Sequence, residues 1–482
     1  MDLSTSSKMF EKSKKKIIGL VVLVVLAAII MLIPDLAGYK ASLALKLSAI
    51  TLLSVYVVLS FEIVHRTAIA LTGAIAIIII GITTGLFPAT SSFEFAVDSI
   101  DFNTIGLLLG MMIIVVVMAE SGVFQYIGIK MCKASKGNLW KLLVMMCTFT
   151  AVTSMFIDNV TTILLMVPVT ISVFRLFKLS PIPFILAQVF MSNVGGTATL
   201  VGDPPNIMIG SAANIDFNAF IIHMGPTIAI SLVCSMIMLK FMFRKEISAK
   251  PQNLEILMTE NENLLIKDKG LLKKSAAILF GVIVLFVIHG VIHIQPSLIA
   301  LGGAGILLII ARVKLEKIFQ EVDWSTLIFF AGLFIIISGT ERAGLIDIMS
   351  NATLNATNGD PMTTFFLIIW SSAFASAIVD NIPFAATMIP LVTNIIQNET
   401  IGSAFGSFMI NPLWWALSLG VGLGGNGTLI GSSAGVVSVG LAEKQGYYIT
   451  FNRFLKLGLP FMILSVVIGS IVLWADVLLR LG

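Results

Sequence analysis

Long apolar runs separated by short charged stretches set the pattern of this chain. A helix needs about 20 apolar residues to cross a bilayer. Runs of that kind fall at roughly 17–34, 43–61, 67–87, 103–119, 183–213, 219–240, 274–291, 296–311, 325–339, 411–441 and 457–476. Two further stretches, 139–176 and 362–397, are each interrupted at the centre by Asp-Asn. Each is too long for one crossing, yet polar in its middle. They predict re-entrant hairpins that enter and leave by the same face. Such backbone is tolerated at membrane depth only where it is buried in protein or lines a cavity. The pattern therefore predicts an all-α polytopic membrane protein with about 11 transmembrane helices plus two hairpins.

Composition agrees and removes other classes. Of 482 residues, 57% are hydrophobic and 12% charged, against about 45–50% and about 25% in soluble chains. No soluble core of this size hides that much apolar surface, so soluble-enzyme and nucleic-acid readings fall. The 39 glycines exceed what plain lipid-facing helices use. Cys132, Cys147 and Cys234 are odd in number and far apart, and form neither a disulfide framework nor a soft-metal site. The basic start before the first apolar run lacks a small-residue cleavage site, so it reads as an uncleaved first helix.

Charge placement orients the spans. With the N-terminus cytoplasmic and both hairpins non-crossing, 26 of the 30 basic residues fall inside. Lys40, Lys46, Arg342 and Arg480 are the exceptions. The C-terminus is then outside. The membrane expected is a bacterial or archaeal cell (inner) membrane. Residues 244–274, polar and mixed in charge, read as a solvated cytoplasmic linker.

Residues 93–168 match 315–390 at a constant shift. Asp101 and Thr104 pair with Asp323 and Thr326, Gly110 with Gly332, and Gly122 with Gly344. Asp158-Asn159 pairs with Asp380-Asn381, and Pro168 with Pro390. Further on, the run from Gly195 to Gly202 matches that from Gly424 to Gly431. Each copy holds five crossings. An odd number puts the copies in opposite orientations, the inverted-repeat plan of secondary transporters. The organisation expected is an N-terminal transmembrane helix (1–40), a first repeat (41–243) with a cytoplasmic-side hairpin, the linker (244–274), and a second repeat (275–482) with an outer-side hairpin.

The chemistry concentrates at the symmetric polar positions. A carboxylate at the bilayer centre costs about 2.5–3.5 kcal/mol. Two of them, Asp158 and Asp380, at matched positions point to a cation or proton site. Asn159 and Asn381 supply neutral oxygens, and Thr161 and Thr162 stand on the turn that follows. The competing reading is that Asp and Asn cap the hairpin helices. The second feature is the first broken span: Gly195, Gly196, Thr197, Thr199, Gly202, Asp203 and Asn206, with Pro204 and Pro205. Glycine and proline break the helix there, and the broken ends leave N–H and C=O groups free to bind ions. Its copy holds Gly424, Gly425, Asn426, Thr428, Gly431, Ser432 and Ser433 and no carboxylate. Asp158, Asn159, Asp380 and Asn381 are the candidate Na+ ligands. His289 and His293 have no carboxylate beside them in sequence and read as interfacial. No nucleophile–base pair or metal-ligand cluster is found. No enzyme activity and no cofactor beyond a coupling H+ or Na+ is expected.

The Asp-Asn tips, each followed by a proline ten residues on, and the run GGTATLVGDPPNIMIG resemble the ion-transporter superfamily. That superfamily includes ArsB-type arsenite permeases, NhaD-type Na+/H+ antiporters, the P protein and citrate transporter-like carriers. The run GGNGTLIGSSAGVVSVGLAEKQGYYITFNRFLKLGLP is similar to the P-protein branch, with Gly435 where that branch has asparagine. The resemblance covers nearly all of 50–480. It implies inverted repeats with scaffold and transport domains, an elevator mechanism, a homodimer and a small inorganic ion as substrate. Citrate-type carriage is disfavoured because Asp158 and Asp380 replace neutral hydroxyls. Cation/proton exchange is the leading expectation. Arsenite or antimonite efflux is the alternative, and a passive conductance a third.

Overall fold

In a computed structural model, the structure describes residues 42–482 apart from 62, 260, 407 and 482, and before them only 21, 22, 24, 25 and 28. The predicted first span, 17–34, falls almost wholly outside these residues. Everything regular among them is helical. Among the described residues nine helices are long and apolar enough to cross a bilayer.

Both predicted hairpins are helix pairs broken at Asp-Asn. The first is Leu139–Ser154 and Asn159–Leu176; the second is Pro361–Ile378 and Asn381–Ile396. Both predicted broken spans are broken. The first is Ile182–Gly196 and Pro204–Ala212, and the second Pro412–Gly424 and Ser433–Lys444. Pro204 and Pro205 open the second half of the first pair, where a missing N–H removes no helix bond.

The chain divides into two compact units that cut across the repeats. One holds residues up to 102, 324–360 and 386–402; the other holds 103–323, 361–385 and 403–482. In the first, Arg66–Thr84 packs against Leu43–Ser60 and Trp324–Arg342. Thr67 donates to the Ser325 carbonyl at 2.8 Å, and Arg66 to the Thr326 hydroxyl at 2.6 Å. Arg342 lies 4.7 Å over the Phe95 ring, which stacks on Phe87.

The second unit carries the hairpin tips and both broken helices. Each hairpin's first arm packs on the matching broken helix through one glycine. A Cβ on Gly195 would stand 2.2 Å from the Ala151 carbonyl oxygen, and on Gly424 2.5 Å from that of Ala373. These pairs are repeat mates. The same symmetry repeats in hydrogen bonds. Ser154 donates to the Ser192 carbonyl at 2.8 Å, and its mate Ser376 to that of Val421 at 2.9 Å.

The segment expected as a solvated linker is instead strapped to the second unit. Lys267 N–H donates to the Ser121 carbonyl at 2.9 Å, and Gln252 N–H to that of Phe177 at 3.2 Å. Leu257 is fully buried. Its charges stay wet, but its backbone and one leucine are used in packing. Glu262 pairs with Lys133 at 2.5 Å, and that hydrogen bond holds its carboxyl below the usual range. The pair's contribution is therefore present at neutral pH and fades as pH falls through the lowered value.

Gly195→Ala and Gly424→Ala are each expected to destabilise the purified protein by about 1–3 kcal/mol, the usual cost of overpacking. Gly281, whose added Cβ meets nothing within 4 Å, is the control. Its alanine variant should match or exceed the parent, since helical glycine costs about 1 kcal/mol. Thermal unfolding in detergent distinguishes them. Gly122 has φ +82°, and its Cβ would stand 2.0 Å from the Leu265 carbonyl oxygen. Gly122→Ala should therefore expose 250–268 to limited proteolysis, whereas Glu262→Gln, which leaves the segment's backbone bonds to Ser121 and Phe177 in place, should change little.

Candidate functional site

All of the predicted site residues fall in the second unit. The hairpin tips hold them by capping. Asp158 precedes Asn159–Leu176 and accepts from the Thr161 N–H at 3.0 Å and the Thr161 hydroxyl at 2.5 Å. Asp380 accepts from the Ile382 N–H at 3.1 Å and from the Ser433 hydroxyl at 2.7 Å. The capping reading is thus present in the geometry of both. It does not remove their charge. Thr162 turns away and donates to the Ile157 carbonyl.

Asp203 behaves differently. It occupies the position before Pro204–Ala212, yet its side chain makes no capping bond. Instead Asn381 Nδ2 donates to both of its oxygens, at 3.3 and 3.2 Å. Asn159, Asp158 and Asp380 lie close enough to act on its charge. The asparagines of the two hairpin tips therefore converge on the one carboxylate of the broken helices. Asp203 is 1% exposed and Asp158 7%.

A second buried network joins the two repeats. Asn159 Nδ2 donates to Asn193 Oδ1 at 3.0 Å, and Asn193 Nδ2 to Asn426 Oδ1 at 2.9 Å and to Ser432 Oγ at 3.1 Å. Asn206 donates to the Gly196 and Thr199 carbonyls at 3.2 and 2.9 Å, and its own oxygen accepts from Ser418 at 2.7 Å. Thr199 and Thr428 donate to the Met155 and Ala377 carbonyls. Thr197 donates to the Asn193 carbonyl at 2.8 Å. Across each break two glycines face one another, Gly196 with Gly202 and Gly425 with Gly431. Carbonyls at the first break are thereby satisfied by the Asn206 side chain, and at the second the Gly431 carbonyl accepts from the Asn381 N–H at 3.2 Å, as buried backbone requires.

Asn193 and Ser418 are absent from the sequence expectations. Asn193 could have been found as the one amide just before Gly195-Gly196 in an apolar span. Ser418 carries no sequence signal, since only folding brings it to Asn206. Gly435 cannot hold the asparagine expected by resemblance without displacing a neighbour: its Cβ would stand 2.9 Å from the Leu429 carbonyl oxygen. One expectation is corrected elsewhere. Asp216, distant in sequence, does stand beside His289, which accepts from the Phe217 N–H at 3.0 Å. Among the described residues no group of three or more His, Cys, Asp or Glu side chains is placed to hold a metal ion.

The segments that build the site carry no positive side chain. Lys and Arg are absent from 142–174, from 179–239 and from 343–443. Three buried or partly buried carboxylates therefore share a site whose dipoles come from amides, hydroxyls and broken helix ends.

A family model described as citrate transporter matches residues 56–420. An uncharacterized transporter of Mycobacterium tuberculosis is 39% identical over 87% of this chain and 95% of its own length. The P protein of Mus musculus is 35% identical over 88% of this chain, which spans 59% of that relative. The YdaH transporter of Alcanivorax borkumensis shares the fold, with a TM-score of 0.57 at 14% identity over 87% of this chain and all of that one. MtrF of Neisseria gonorrhoeae, from a class of antimetabolite efflux pumps, aligns with a TM-score of 0.51 at 11% identity, over 93% of this chain and 97% of its own. With its helix pairs, its repeat-matched breaks and these likenesses, the chain belongs to the citrate transporter family of polytopic membrane transporters, in company with the P protein.

Proposed function

We propose that this protein is a secondary active transporter that exchanges a small inorganic cation, Na+ foremost, for protons. One observation carries the reading: three carboxylates share a site with no Lys or Arg in the segments that form it. A buried carboxylate without a counter-charge takes up a proton or a cation. The site is stable only when loaded, and proton and cation compete for the same oxygens. Asp203 is the central carrier, because its oxygens are held by amides and not consumed in capping its own helix. Asp158 and Asp380 add charge while fixing the tips. Asn159, Asn381, Asn193 and Asn426 orient the shell. Transport follows an elevator-type motion in which hairpin tips and broken helices move as one body, in a homodimer. The N-terminus is cytoplasmic and the C-terminus outside.

The family's description favours carboxylate carriage as a second reading. A free citrate would meet three negative groups and no positive one. It would have to enter with cations bound to it.

Reconstitution with an internal pH dye tests both readings. Na+ should drive proton movement, with Li+ and K+ graded below it and arsenite and citrate inert; a response to citrate alone would favour the second reading and sink the first. Asp203→Asn keeps shape and removes charge. It should lower coupled flux more than tenfold, about 1.4 kcal/mol or more, without changing elution on size exclusion. Asp158→Asn and Asp380→Asn test capping against charge, because asparagine caps as well as aspartate. Flux should fall in both; full retention would reduce these residues to caps. The apparent KM for Na+ should decrease as pH rises, since protons leave the shared oxygens.

A further inference from the structure

The structure assigns a second ligand to this protein, an anionic glycerophospholipid held by its phosphodiester head. The place is a cleft of about 400 Å³ between the end of Phe217–Met242 and the start of Phe451–Leu481. Arg453 and Lys456 supply its positive charge. Asn452 and Thr450 add polar groups, and Met242, Phe243 and Leu457 form an apolar wall. Arg453 and Lys456 are exposed, and among the described residues neither forms an ion pair, although Glu246 also lines the cleft.

Two features select a lipid over a soluble anion. First, the cleft is amphipathic, with charge at its mouth and apolar side chains behind. Second, it lies where the first of these helices leaves its apolar stretch, beside Lys240, Arg244 and Lys245. The charge distribution makes that side cytoplasmic, and basic pockets between membrane helices on that side hold anionic head groups. The first turn of Phe451–Leu481 adds the positive end of a long helix dipole. The occupant is a lipid with one phosphodiester charge, and the Glu246 carboxylate weakens its hold.

The test uses the full-length purified protein in mild detergent with added phosphatidylglycerol. Native mass spectrometry counts bound lipid and thermal unfolding reads its effect. Phosphatidylglycerol should be retained and should raise the melting temperature. Phosphatidylcholine, and inorganic phosphate at equal concentration, should do neither. The double variant Arg453→Ala with Lys456→Ala should weaken retention by about fivefold for each basic residue removed. The double variant Lys273→Ala with Lys314→Ala, two exposed lysines outside the cleft lining, should retain lipid like the parent. Glu246→Gln should retain more, which keeps the proposal testable if the alanine variant folds poorly. Equal retention by the cleft variant and the parent overturns it. So does a matching shift with inorganic phosphate, which would mean a free-anion site, or with phosphatidylcholine, which would mean non-specific coating.

Discussion

Backbone that leaves helical geometry inside a bilayer must find its hydrogen-bond partners within the protein. The rest of this structure follows from that constraint. Both broken spans lose helical bonds around their glycines; at the first the Asn206 side chain replaces two of them, and at the second, where Gly435 stands in its place, the Asn381 N–H donates to the Gly431 carbonyl at 3.2 Å. Thr199 and Thr428 tie each break to the facing hairpin arm, and Asn206 closes the Gly196 and Thr199 carbonyls. The approach of arm to break is so close that only glycine fits at 195 and 424. Hairpin and break are in this sense one object: neither can be satisfied without the other.

Onto that near-symmetric frame the chain places asymmetric charge. The mate of Asp203 is Ser432, which caps its helix in the ordinary way. Asp203 stands at the equivalent point and does not cap. Proline at 204, where the other repeat has Ser433, removes one N–H of the first turn. Asp203 is held instead by amides from the hairpin tips. Symmetry supplies a shaped, polar, water-poor place. The asymmetric carboxylate stands there without a Lys or Arg in the segments that build the place, which is the ground of the proposed exchange.

The amide network gives the same site its rigidity. Asn193 bonds to Asn159 of its own repeat and to Asn426 and Ser432 of the other. A neutral amide can bridge donors and acceptors on several sides at no cost in charge, so the network holds both repeats together without adding to the charge of the carboxylates. Wherever the chain meets the aqueous side, the logic reverses. Positive side chains reappear there, and the polar segment after Phe217–Met242 folds back through its backbone and one buried leucine instead of floating free.

Much of this was legible before folding. Hydropathy fixed the membrane class, the Asp-Asn interruptions located two helix breaks, and the internal match located the two broken spans, because each is a local departure from the apolar rule that every membrane span obeys. The helix ends fell within a few residues of those expectations. What no window of sequence could show was convergence. That Asn381 reaches Asp203, that Ser433 reaches Asp380 and that Ser418 completes Asn206 depends on bringing together residues 53 to 212 positions apart. The sequence by itself determined where the backbone must break and where charge enters the membrane. The tertiary structure alone decided which carboxylate is bonded by amides and does not cap its own helix, because that is settled by which donors arrive from the other repeat.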